Sequence, residues 1–176
     1  MPFVAALVVL VGTAIVVLGA VLGVRTQHRL VERRNSMHDA WAGIDVQLTK
    51  RAELVPALVT VVKGYAAHEA DTIDAVVQAR ARMLQASDVA AKGAADALLT
   101  GSLSSVMALK EGYPNLKANA NFAALQSQLT RIEDDLAAAR RYYNGCVKSY
   151  EDIRSTFPSN LIASRLHFGR EEYFQP

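Results

Sequence analysis

Four histidines and one cysteine have the widest chemical repertoire in this sequence, and their spacing gives them no shared task. His28, His38, His68 and His167 are scattered, one close to an apolar run and one near the end of the chain. Helical bundles hold paired metals through Glu-x-x-His motifs on facing helices, and neither that motif nor His-Glu-x-x-His occurs here. Cys146 has no histidine close by in sequence, and no nucleophile elbow or phosphate-binding loop is present. The reading is no metal, no cofactor and no catalytic residue. The single cysteine cannot form an intrachain disulfide, which fits a buried small hydrophobe in a reducing compartment.

The residues that stand out are charges placed where a helix should be apolar. Glu69 and Arg80 fall on the stripe Val62, Ala66, Glu69, Ile73, Val76, Arg80, Met83. Asp45 and Arg51 flank or share the stripe Leu30, Met37, Trp41, Ile44, Leu48, Val55, and Glu133 and Arg140 border a third stripe. Glu69 and Arg80 are about 16 Å apart along a helix axis, too far to pair with each other. Each of these two therefore needs a partner on another helix, because an unpaired buried charge is costly. A set of interhelical ion pairs is the structural expectation, and a polar ligand pocket within a bundle is the functional alternative.

The elements that must position these charges are helices. From Phe122 to Phe157, steps of three and four meet Leu125, Leu129, Ile132, Leu136, Ala139, Tyr143, Cys146, Tyr150 and Ile153, none of them charged. That period predicts one helix from Leu116 to Phe157 whose seam needs neighbours. A first soluble helix runs to about Val55, where Pro56 ends or kinks it; a connection at Glu53 to Pro56 is preferred to a kink, since proline suits the first turn of a new helix. A second spans Pro56 to Gln85, and Ser87-Asp88 caps a third from Val89 to about Glu111. Gly112-Tyr113-Pro114-Asn115 is a turn. The fold class is all-α, an antiparallel up-and-down four-helix bundle.

Before the bundle, Phe3 to Val24 carries no charge and is about 33 Å long as a helix, enough to cross a hydrocarbon core of ~30 Å. A cleaved signal peptide would need a basic leading region and a shorter apolar core. Arg25, Arg29, Arg33 and Arg34 follow the run, which places the N-terminus outside and the bundle in the cytoplasm. Residues 1–25 are thus a transmembrane anchor, 26–158 the bundle, and 159–176 a tail that packs on the bundle or touches the membrane or a partner. Ala5, Gly12, Gly19 and Gly23 form a small-residue face through which two anchors could dimerise. A net charge of +2 gives no electrostatic case for nucleic acid. The basic cluster matches the anionic surface of the bilayer instead.

The soluble part resembles the LemA family. The resemblance is carried by Trp41-Ala42-Gly43-Ile44-Asp45-Val46-Gln47-Leu48, by Arg51-Ala52-Glu53-Leu54-Val55-Pro56, and by Val62-Lys63-Gly64-Tyr65-Ala66. It resumes at Glu111-Gly112-Tyr113-Pro114-Asn115-Leu116, at Ala139-Arg140-Arg141-Tyr142-Tyr143-Asn144, and at Phe157-Pro158. Three places depart from the family pattern: Gln27-His28 replaces a Tyr-Asn pair, Ala57 an Asn, and His167-Phe168 a Gly-Phe. The resemblance implies an N-terminally anchored helical bundle of bacterial inner membranes without an established general activity. Some members take part in building magnetosome membranes, which implies membrane organisation. A non-catalytic scaffold that meets the lipid bilayer and other membrane or cytoplasmic proteins is expected. The alternative is an enzyme or small-ligand sensor using the polar seam.

Overall fold

The computed structural model describes the backbone of residues 2–175, and the side chains of these except at positions 2, 4, 5, 8 and 9. Six helices follow in order, with no strand among the described residues: α1 Pro2–Lys63, α2 Ala70–Gln85, α3 Val89–Ala108, α4 Pro114–Lys117, α5 Ala120–Ser155 and α6 Ser159–Arg165. A single 3-10 turn, Leu109–Glu111, joins α3 to the loop before α4.

The first border differs from expectation. Pro56 lies inside α1, and the chain reverses only at residues 64–69. An interior proline strips the carbonyl four residues earlier of its N–H partner, here that of Ala52. Arg80 Nε on α2 donates to this carbonyl at 3.0 Å, and Thr60 Oγ1 donates to the Pro56 carbonyl at 2.9 Å. The hydrogen bond that proline removes is thereby replaced, and the buried row Leu48, Ala52, Val55, Leu58, Val62 passes through Pro56 unbroken.

Later borders follow local chemistry. Asp88 caps α3 by accepting from the Ala91 amide at 2.7 Å. Asn119 caps α5 by accepting from the Phe122 amide at 2.9 Å, so the long helix begins at Ala120 rather than Leu116. It ends at Ser155, short of Phe157.

Packing divides the chain into two units. The larger comprises residues 39–144 and 172–176. Its buried side chains include Ile44, Leu48 and Leu58 from α1, Ile73 and Met83 from α2, Leu99 and Leu103 from α3, and Phe122 and Leu136 from α5. Phe174 is buried there too, its ring beside Trp41 at 5.9 Å. Asn144 holds its backbone at two points, accepting from the Phe174 amide at 2.9 Å and donating to its carbonyl at 3.1 Å.

The smaller unit comprises residues 1–38 and 145–171. Its core joins Leu30, Tyr150 and Ala163, with Ile153 and Phe168 packed against them. Tyr150 donates its hydroxyl to the Gly169 carbonyl at 2.8 Å, and burial pushes that phenol up from its ordinary value. Arg34 pairs with Glu171 at 3.4 Å. The apolar part of α1 is long enough to cross a membrane, and its most apolar window buries nothing.

Candidate functional site

Helical spacing assembles one convergent polar cluster in the larger unit. On α3, Lys92, Asp96 and Thr100 recur every fourth residue and so share a face. On α5, Glu133 and Arg140 are two turns apart, and α1 contributes Asp45 and Arg51.

Asp96 is the centre, with no solvent exposure at all. Its Oδ1 accepts from Arg51 at 2.9 Å, and its Oδ2 accepts from Arg140. The same Arg51 nitrogen also donates to Thr100 Oγ1 at 2.9 Å. The other terminal nitrogen of Arg51 lies 3.0 Å from Glu133 Oε2, and Arg140 lies 3.8 Å from Glu133 Oε1. Glu133 Oε2 is within ion-pair range without hydrogen-bond alignment, and the Nε groups of Arg51 and Arg140 make no hydrogen bond. Arg140 also lies over the Phe174 ring, 5.3 Å from its centroid.

Two arginines and two carboxylates cancel, so the cluster carries no net charge to offer a ligand. Burial pushes the Asp96 carboxyl up from its ordinary range, against the pull of Arg140 and Arg51. One open recess, about 320 Å³, reaches the cluster between Arg51, Thr100 and Glu133, with Leu103, Met107 and Leu129 as apolar walls. Among the described residues no three His, Cys, Asp or Glu side chains converge as metal ligands would.

The six charges singled out in the sequence separate into three groups. Arg51, Glu133 and Arg140 meet in the cluster. Asp45 pairs with Lys92 one turn along α3. Glu69 and Arg80 take no ion-pair partner among the described residues: Glu69 accepts from the Tyr113 hydroxyl at 2.9 Å, which raises that phenol, and Arg80 serves the Ala52 carbonyl. The carboxylate expected opposite Arg80 is replaced by a backbone oxygen, because Pro56 leaves one vacant. Asp96, Thr100 and Lys92 were not anticipated. The signal existed: Asp96, Leu99, Leu103 and Val106 keep the 3-4 spacing of a buried seam.

On α1, Gly12 and Gly19 are exposed, and a methyl group added at Gly12, Gly19 or Gly23 would meet nothing within 4 Å. The side chain of Ala5 lies outside the described residues.

The model of the LemA family matches residues 40–176, a range that contains every member of the cluster. A stretch of 81 residues is 31% identical to magnetosome proteins MamQ 1 and MamQ 2 of Paramagnetospirillum magneticum. That stretch is 46% of this chain and 30% of each of those proteins, so the chain spans under a third of their length. Protein LemA of Metamycoplasma hominis is 24% identical over 154 residues, 85% of this chain and 68% of that one.

Proposed function

The chain belongs to the LemA family, and on that premise we propose a non-catalytic scaffold, anchored in the bacterial inner membrane by the start of α1, with its helical bundle in the cytoplasm. The observation that carries this reading is the self-neutralising cluster around Asp96. A catalytic or ligand-binding centre needs polar groups with unspent capacity facing a concave site. Here both oxygens of the most buried carboxylate are occupied by arginines, and the atoms left without a hydrogen bond, Glu133 Oε2 and the Nε groups of Arg51 and Arg140, belong to a charge-balanced group beside a small, open recess. Such a cluster supports register between helices rather than chemistry. The magnetosome proteins among the relatives support a part in organising membranes.

The apolar run with four arginines after it supports the anchor and its direction. A reporter active only outside the cytoplasm, fused after residue 176, should be silent in cells, while carbonate washing should leave the chain in the membrane. An active reporter reverses the orientation, and release by carbonate removes the anchor. For the scaffold, the neighbours crosslinked in native membranes should be unchanged when Arg51, Asp96, Glu133 and Arg140 are all replaced by apolar residues of similar volume. Their loss from a chain that still melts cooperatively would favour a ligand sensor.

A further inference from the structure

The smaller unit stops burying its apolar residues toward the end of α5 and toward the start of α1. Along α5, Val147 and Tyr150 are fully covered, whereas Phe157, just past the helix end, is 75% exposed. Along α1 the gradient runs toward lower numbers. Met37 and Leu30 are buried, Thr26 and Gly23 partly covered, and Leu22, Leu18 and Ile15 exposed. Since Leu30 and Tyr150 pack together, both helices lose cover at the same side of the unit, where the apolar run of α1 begins.

Distance sharpens the point. At ~1.5 Å per residue Val24 lies about 9 Å along α1 from Leu30, and Ser155, the last residue of α5, about 7.5 Å along its own axis from Tyr150. Phe157 follows two residues beyond that helix end. Leu161 and Leu166, at α6 and its end, are also exposed, at 62% and 43%. Three large apolar side chains within ten residues are expensive to leave in water. Around them Arg25, Arg29 and Arg165 are exposed and make no ion pair among the described residues.

We propose that the segment from Phe157 to Leu166 is a second membrane contact, lying in the headgroup layer of the bilayer that α1 crosses. This rests on the anchoring reading above. Apolar side chains at the depth of the acyl boundary, flanked by arginines that face anionic headgroups, are the chemistry of an interfacial segment. Ala163 faces the Leu30–Tyr150 core, so α6 is held by the unit on one side and presents Leu161 on another. The occupant is lipid, and the anchor fixes it close at hand.

The test uses the full chain with Cys146→Ala in vesicles of zwitterionic and anionic phospholipid. A polarity-sensitive fluorophore is placed at Leu161→Cys, at Leu10→Cys or at Lys148→Cys, and lipids carrying a spin label at shallow or deep positions serve as quenchers. At position 161 we expect blue-shifted emission quenched best by the shallow label, at position 10 quenching best by the deep label, and at position 148 a signal as in water. A quenched position 10 with a water-like position 161 overturns the second contact and leaves the anchor standing. Blue-shifted emission at 161 that no lipid label quenches means protein covers the segment, a second copy included, and also overturns it. An unquenched position 10 removes the anchor, and the second contact with it.

Discussion

Arg80 donates its Nε to the carbonyl of Ala52 at 3.0 Å, the carbonyl that Pro56 deprives of its helical partner. One side chain on α2 thus repairs a defect that the sequence of α1 creates. Arg80→Ala should destabilise the protein by about 1–3 kcal/mol, the cost of leaving a shielded carbonyl unpaired. In a Pro56→Ala background, where residue 56 regains its N–H, the same change should cost less than half as much. Urea melts of the four proteins in detergent close this cycle, and equal losses in both backgrounds would refute the link.

Asp96 holds two arginines that have little access to water. Asp96→Ala should cost about 3–5 kcal/mol, because it strands Arg51 and Arg140. Replacing Arg51, Asp96, Glu133 and Arg140 together by apolar residues should recover most of that loss. Failure of the combined variant to recover would mean that the cluster contributes net stability beyond its internal pairing.

Gly93 sits on α3 where a side chain would enter the backbone of Gln175. Gly93→Ala should push the tail off the larger unit and cost about 1–3 kcal/mol through overpacking. Hydrogen exchange should rise at the Phe174 amide, which Asn144 otherwise holds. An unchanged exchange rate there would contradict the close approach.

His167 has a φ of 58°, the only non-glycine residue with positive φ among those described. This conformation closes α6 and suits glycine, which has no Cβ to strain it. His167→Gly should therefore stabilise the protein by about 0.5–1 kcal/mol, and His167→Val should destabilise it. Thermal melts that rank valine above glycine would overturn this.

Glu151 is partly buried, which raises its carboxyl, but hydrogen bonds from Arg154 and the Glu171 amide outweigh burial and hold it below the ordinary range. A carboxylate depressed in the folded state contributes stability above its unfolded value of 4.5, lost as pH falls through the folded pKa. Glu151→Gln should thus be less stable than the parent at pH 7 and approach it as pH drops below 4.5. Because Asp96 titrates in both proteins, its opposite shift cancels in the comparison. A difference independent of pH would assign the loss to packing.

Much of the fold was legible because apolar spacing reports the face a helix buries. The stripe from Phe122 holds through Leu136, Tyr143 and Tyr150, all buried. It fails at Phe157, since periodicity tells which face is apolar and not where the neighbouring helix stops. Pro56 departs from expectation for a related reason: the carbonyl it orphans, that of Ala52, is met by an arginine twenty-eight residues beyond Ala52. In the cluster, Arg51, Glu133 and Arg140 stood out as charges beside apolar stripes. Asp96 did not, because alanine and glycine fill most of the positions before it on α3 and leave no clear apolar stripe to set it against.

Trp41 is the protein's single tryptophan, and its indole lies 5.5 Å from the Tyr143 ring and 5.9 Å from that of Phe174. Its emission therefore reads the seating of the tail with no added label. Tyr143 is close enough to pass excitation to the indole, and departure of Phe174 would open one side of that indole to water and shift its light to the red. Any partner that displaces the last residues, or any lesion that loosens them, announces itself in the native fluorescence of the untouched chain.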